Sequence, residues 1–170
     1  MSNIEWQFFP KNLQCPKHLL DVIALFEKNS SNFCSSKFQL ESNEVLEIIR
    51  LDLESNGFDV EASKKAVDKI TVPVLYGRNG KLEKWFDADG YNKSTKTVIE
   101  VEAGRAVVNY QFLKDLFQAT VMVNVDYCII AVRRIYRTSK DFDKVIQFMD
   151  TLYTSNRIKL PLMGVLIIGY

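Results

Sequence analysis

Residues 85–104 read WFDADGYNKSTKTVIEVEAG, and this stretch decides the fold. Two alternating segments flank the turn-forming residues NKST, a pattern that predicts two adjacent β-strands. Asp87 and Asp89 stand two residues apart on the first strand, and Glu100 and Glu102 stand two apart on the second. Side chains two apart share a face of a strand, so each pair of acids points one way.

If the two acidic faces match, several carboxylates converge on a small volume and repel one another unless a cation lies among them. Oxygen ligands on a pair of strands suit Mg²⁺ or Mn²⁺. Alternating acids are also typical of a solvated strand face, and Asp-Gly at 89–90 is common in turns. Both interpretations stay open, and the apolar Ile99 and Val101 between the acids favour the metal site.

The remaining sequence predicts helices on both sides of this strand pair. Apolar residues recur at helical spacing in four segments, 16–28, 43–56, 105–122 and 141–155. Apolar runs or alternation predict strands at 70–77, 81–91, 96–104, 126–136 and 162–168. A meander of three strands followed by helix, strand, helix and strand indicates an α/β fold, with a mixed central β-sheet flanked by α-helices.

Composition excludes several classes of function. The 170 residues are 47% hydrophobic and 25% charged, which predicts one globular domain over 1–170. His18 is the only histidine and the three cysteines form no CxxC pair, so a zinc site is not expected. No apolar run is long enough for a membrane helix and no signal peptide is recognisable, so a cytoplasmic location without membrane contact is expected.

Asp-Gly-Tyr at 89–91, the short turn and Ile-Glu-Val-Glu at 99–102 resemble the motif of the PD-(D/E)xK nuclease superfamily. The resemblance covers roughly residues 40–135 and implies a restriction endonuclease-like fold. The lysine of the usual motif is replaced by Glu102, which is similar to the acid-x-acid version of BamHI-type enzymes. The resemblance implies that Asp89 is the first acid of the motif, with Asp87 as the competing choice. It implies that Glu100 is the second acid.

The resemblance also assigns roles around these acids. The carbonyl of Val101 completes the shell of Mg²⁺ or Mn²⁺, and Glu102 acts as general base or as a second metal ligand. The family often adds a glutamate from the preceding helix, for which Glu44 and Glu47 are candidates. Candidate substrate-binding residues are Arg105, Gln111 and Lys114.

Two functions therefore remain. The first is a metal-dependent endonuclease that hydrolyses DNA, expected to act on duplex DNA as a homodimer and to be restriction-type or defence-related. The second is a catalytically inactive nucleic-acid- or protein-binding module of the same fold. The near-neutral net charge of +1 favours the second, and the retained acids favour the first.

Overall fold

The computed structural model describes residues 3–63 and 65–170. A six-stranded sheet has the order β1-β8-β7-β6-β5-β2, and β3 and β4 form a separate two-stranded sheet. The strands are β1 (Glu5–Phe9), β2 (Asp59–Val60), β3 (Ile70–Tyr76), β4 (Leu82–Ala88), β5 (Gly90–Asn92), β6 (Thr97–Glu102), β7 (Tyr127–Val132) and β8 (Gly164–Gly169). The α-helices are α1 (Lys17–Asn29), α2 (Ser42–Ser55), α3 (Gln111–Val121) and α4 (Asp141–Ser155).

The sheet is mixed, and its centre is parallel. Strands β6, β7 and β8 run parallel, and β1, β5 and β2 extend the two sides in antiparallel pairing. Helices α3 and α4 connect the parallel strands, as parallel pairing requires a crossover. The nearly continuous apolar sequences of β7 and β8 are buried on both faces. The predicted fold class, a mixed sheet flanked by helices, is confirmed.

Alternation along β6 determines which side of the sheet the acids face. Ile99 and Val101 pack in the core that contains α1 and α2. Val98 packs in the opposite core, against α3 and α4. Because side chains alternate along a strand, Glu100 and Glu102 lie on the Val98 side, facing α3.

The predicted strand 81–91 is in fact two strands in two different sheets. Strand β4 pairs with β3 in a hairpin, whereas β5 joins β6 in the large sheet, with the break at Asp89. Gly90 permits this crossing, because a Cβ there would lie 2.8 Å from Cγ2 of Ile99. The predicted three-strand meander is therefore wrong: β3 and β4 form the two-stranded sheet, and β5 and β6 belong to the six-stranded sheet.

Two further differences from the prediction concern the start of one helix and the presence of an edge strand. The helix predicted at 105–122 begins only at Gln111, because Tyr110 has a left-handed backbone (φ +50°) that a helix cannot include. Strand β1 was not predicted; it pairs antiparallel with β8 at the sheet edge. In the described part of the chain, every helix is too short or too polar to cross a bilayer.

Candidate functional site

A pocket of about 380 Å³ lies between the hairpin β3–β4, the end of β6 and α3. Six acidic residues line it: Glu61, Asp87, Asp89, Glu100, Glu102 and Asp115. Lys69, Gln111 and Lys114 line it as well. The site therefore forms at the carboxyl end of the parallel strand β6, the end of a sheet at which ligands usually bind in α/β folds. We refer to it as the acid pocket.

Asp89 lies at the break between the two sheets and is held by hydrogen bonds from two directions. Its Oδ2 accepts a hydrogen bond of 2.8 Å from the Val101 backbone amide. Its carbonyl oxygen accepts one of 2.8 Å from the Glu61 amide. Burial, together with the charges of Glu61 and Asp115, raises the pKa of Asp89 to about 6 despite the Val101 hydrogen bond.

Glu100 lies two residues further from the end of β6 than Glu102, the other acid of this strand. It stands opposite Ile130 in the parallel register of β6 and β7. Burial raises the pKa of Glu100 well above its usual value, and the charges of Asp89 and Asp115 add to the effect. A carboxylate in this position is costly to ionise unless a cation offsets its charge.

Glu102 and Asp115 form a second group of acids at the α3 side of the pocket. Burial and the charge of Asp115 raise the pKa of Glu102, and burial raises the pKa of Asp115. The amide of Gln111, one turn earlier on α3, donates a 2.9 Å hydrogen bond to Oδ1 of Asp115. Oδ2 of Asp115 is buried and has no partner among residues 3–63 and 65–170 while Glu102 is ionised, whereas a protonated Glu102 donates a hydrogen bond to the Asp115 carboxylate.

The sequence did not predict Glu61, Lys69 or Asp115 as site residues. Glu61 follows the two-residue strand β2, which is too short to show alternation. Nζ of Lys69, the residue before β3, lies 2.7 Å from Oε1 of Glu61. Asp115 was assigned only to a helix; its spacing of four from Gln111 is the signal that places both on one face.

The structure brings together most of the predicted residues, but not all. Asp87, Asp89, Glu100, Val101, Glu102, Gln111 and Lys114 line the acid pocket. Glu44 does not line it. Its Oε2 accepts a 2.7 Å hydrogen bond from the Glu41 amide in the first turn of α2, so its carboxylate serves as a helix cap. Arg105 is exposed and also lies outside the lining, and Glu47 lines a smaller neighbouring cavity together with Glu61.

A hard divalent cation such as Mg²⁺ requires several oxygen ligands in a defined arrangement. Within residues 3–63 and 65–170, no group of three or more His, Cys, Asp or Glu side chains is already arranged to hold a metal ion. Nevertheless, the buried Asp115 oxygen has no partner when Glu102 is ionised, and burial together with mutual repulsion raises the pKa of the acids on β6. Both features fit a hard cation with oxygen ligands, which would remove the repulsion.

The fold defines a class: the architecture is restriction endonuclease-like. The particular structure it resembles is that of free BglII, a restriction endonuclease. The TM-score is 0.52 at 11% sequence identity, over 98% of this chain and 78% of the BglII chain. No protein-family model matches the chain. A comparison with curated proteins finds no match either.

Proposed function

We propose that this protein is a metal-dependent endonuclease that hydrolyses DNA phosphodiester bonds in the acid pocket. The observation that carries the proposal is the convergence of Asp89, Glu100, Glu102 and Asp115 at the end of β6. A binding surface alone does not require four acids crowded together, since their repulsion destabilises the protein. The restriction endonuclease-like fold supports the same function.

Mg²⁺ or Mn²⁺ is the cofactor that suits this donor set. The side chains of Asp89, Glu100 and Asp115 and the carbonyl of Val101 would hold it. Such an ion supplies a Lewis acid that lowers the pKa of a bound water and offsets the negative charge of a phosphate. Glu44, expected from the resemblance to join this set, is excluded from our proposal because it caps α2.

Glu102 replaces the lysine of the usual motif, and we assign it the role of general base. A carboxylate accepts a proton from water most effectively when its pKa approaches the working pH. Burial and the charge of Asp115 raise the pKa of Glu102 from its usual value toward the working pH. This role corresponds to the acid-x-acid version of the motif.

Lys114 and Gln111 stand on α3 at the wall of the pocket, and we assign them to substrate. Lys114 is exposed, so its ammonium can contact a DNA phosphate without desolvation. The Gln111 amide positions Asp115, so its effect on the substrate is indirect. Because Arg105 lies outside the pocket, we assign it only a contact with DNA beyond the cleaved phosphate.

A homodimer follows from the proposed reaction. One acid pocket cuts one strand, so a twofold pair of chains is required to cut both strands of a duplex in one binding event. A restriction-type or defence role is the setting in which such a small nuclease of this fold is expected.

The second candidate is a catalytically inactive binding module. The observation in its favour is the ion pair between Lys69 and Glu61, which offsets part of the acidic charge without a metal. The binding module is also favoured because Glu102 stands where the usual nuclease motif has a lysine.

Nicking of supercoiled plasmid in Mg²⁺ or Mn²⁺, compared with EDTA, separates the two functions. We expect metal-dependent nicking that Glu100→Gln abolishes. Glu44→Gln is the matched control, since it makes the same chemical change outside the pocket and keeps an oxygen for the α2 cap. If wild-type protein nicks neither DNA nor RNA, and calorimetry detects no Mn²⁺ binding, the binding module is the correct function.

A further inference from the structure

We propose that Trp85 is a stacking platform for an unpaired base at the entrance of the acid pocket. The substrate class is then DNA that carries a single-stranded segment next to the cleaved phosphate. This inference rests on the proposed function for the reacting phosphate, and it deepens that function by naming the form of DNA that enters the site.

The position of Trp85 is the first observation. Trp85 lies on β4, stands opposite Pro73 of β3 and lines the acid pocket together with Asp89 and Glu100. It nevertheless exposes 47% of its surface. Leaving half of an indole exposed forgoes the hydrophobic stabilisation that its burial would give. Exposed aromatic side chains beside a polar pocket are common at ligand-binding sites.

The core does not require this tryptophan. Val72, Phe86 and Ala88 of the same hairpin pack against the α3 and α4 side of the sheet. Trp85 points away from that face, because neighbours on a strand alternate. No aromatic ring of residues 3–63 or 65–170 stacks on it, although rings elsewhere do pair. With 47% of its surface exposed, part of the indole is accessible to a planar ligand.

The charge around Trp85 is mixed, because six acids line the acid pocket while basic residues stand on the hairpin and on α3. The hairpin, residues 70–88, carries three basic and two acidic residues. Glu83, one of these acids, folds over Gly77 at the far end of the hairpin, where its Oε1 would lie 1.8 Å from an added Cβ. Exposed Lys114 stands on the opposite wall of the pocket. Lys114 can therefore contact a phosphate of a strand whose base stacks on Trp85.

The form of the DNA follows from the geometry of stacking. Inside a duplex both faces of each base are covered by neighbouring bases, and only the edges are accessible in the grooves. An indole can stack on a base only when that base has lost a neighbour or is unpaired. Trp85 therefore favours single-stranded or frayed DNA over continuous duplex.

The chain is well suited to a fluorescence test, because Trp6 and Trp85 are its only tryptophans. Trp6→Phe leaves Trp85 as the single reporter, and Trp85→Phe leaves Trp6, which lies on the edge strand β1. Each variant is titrated with a short oligothymidylate and with a blunt-ended duplex of the same length, in EDTA so that no cleavage occurs.

We expect oligothymidylate to quench the emission of Trp6→Phe and to leave that of Trp85→Phe unchanged. Trp85→Ala should weaken binding of oligothymidylate by about 5- to 150-fold, the loss of one stacked base. Trp85→Leu, which keeps an apolar side chain, should lose affinity similarly. Equal affinity of Trp85→Ala and wild type, or equal quenching by duplex, would overturn the inference.

The two proposals fail in different ways. Quenching of Trp85 by a single strand, without Mn²⁺-dependent cleavage of either the plasmid or the single strand, would support stacking and reject the nuclease. Metal-dependent nicking by a protein whose Trp85 is not quenched would support the nuclease and reject stacking.

Discussion

The backbone amide of Val101 donates a hydrogen bond of 2.8 Å to Oδ2 of Asp89. This bond joins the end of β6 to the break between β4 and β5, so Asp89 and Glu100, the proposed first and second acids, are fixed relative to each other. Asp87, the competing first acid, lies two residues earlier on β4, where it is exposed at the pocket wall. The structure thus gives a reason to prefer Asp89, although both residues line the same pocket.

We predict that Asp89→Asn abolishes metal-dependent nicking and that Asp87→Asn does not. Loss of a residue that supports a metal ligand typically costs about 10- to 100-fold in activity, and loss of a ligand itself should cost at least as much. Exposed Asp87 should contribute less than about 3-fold, through a small change in the charge of the pocket. Initial rates of plasmid nicking in Mn²⁺ measure both effects. Asp87 would be the first acid if the order of the two variants were reversed.

We also predict that the metal-free protein becomes more stable as the pH falls toward 4. The pKa of Asp89 is raised to about 6 in the folded protein, above its value in the unfolded chain. Such a group stabilises the fold when protonated, and this contribution is lost as the pH rises through about 6. Because a shift of one pKa unit corresponds to about 1.4 kcal/mol, Asp89→Asn should be more stable than wild type by up to about 3 kcal/mol at pH 8.

Urea unfolding in EDTA at several pH values tests this expectation. The difference between Asp89→Asn and wild type should shrink toward pH 4, and Asp87→Asn should change stability by less than about 0.5 kcal/mol throughout. Mn²⁺ should stabilise wild type and leave Asp89→Asn nearly unchanged. A variant less stable than wild type at pH 8 would show that the Asp89 carboxylate is not destabilised by its surroundings.

The central strands could be predicted because they are buried on both faces. Apolar runs in β7 and β8, and the alternation in β6, identify them without knowledge of their partners. The break at Asp89 could not be predicted, because residues 81–91 alternate as one strand and only the Glu61 and Val101 hydrogen bonds divide them. Edge strand β1 is not predicted although residues 5–8 alternate, because so short a stretch is weak evidence for a strand.

The site could be predicted where its residues share one strand. Glu100 and Glu102 are two apart on β6, and that spacing alone places them on one face. Glu61 and Asp115 come from elements that are distant in sequence, so only the folded chain shows that they join the acid pocket. Glu44 was a reasonable candidate as an acid at the start of a helix, and the same position explains why it caps α2.

Glu44 therefore provides a prediction about stability. Glu44→Ala removes the acceptor for the Glu41 amide and should lower the free energy of unfolding by about 0.5–2 kcal/mol. Mn²⁺ affinity and nicking should not change, because the side chain does not line the acid pocket. Chemical denaturation and calorimetry on the same preparation measure both quantities. A tenfold loss of Mn²⁺ affinity at unchanged stability would return Glu44 to the metal site.

The last prediction concerns Lys69, whose substitution should lower the stability of the metal-free protein and raise its affinity for Mn²⁺. Its Nζ lies 2.7 Å from Oε1 of Glu61, and only 11% of the Glu61 side chain is accessible. The hydrogen bond to Glu61, with the charges of Asp87 and Asp89, raises the pKa of Lys69, so the ammonium interacts favourably with the acids of the pocket. Asp89 is also a proposed metal ligand, so a divalent cation must compete with that ammonium for it.

Lys69→Gln should therefore destabilise the metal-free protein and strengthen Mn²⁺ binding. Loss of a charged hydrogen bond costs about 1–3 kcal/mol of unfolding free energy, since Glu61 is left with a weaker partner. In Mn²⁺ the deficit should shrink, because the ion takes over the role of the ammonium. Lys93→Gln is the matched control: Lys93 lies 3.8 Å from Asp59 in an exposed pair, which contributes little. Weaker Mn²⁺ binding by Lys69→Gln would mean that Lys69 helps to organise the metal ligands and does not compete with the ion.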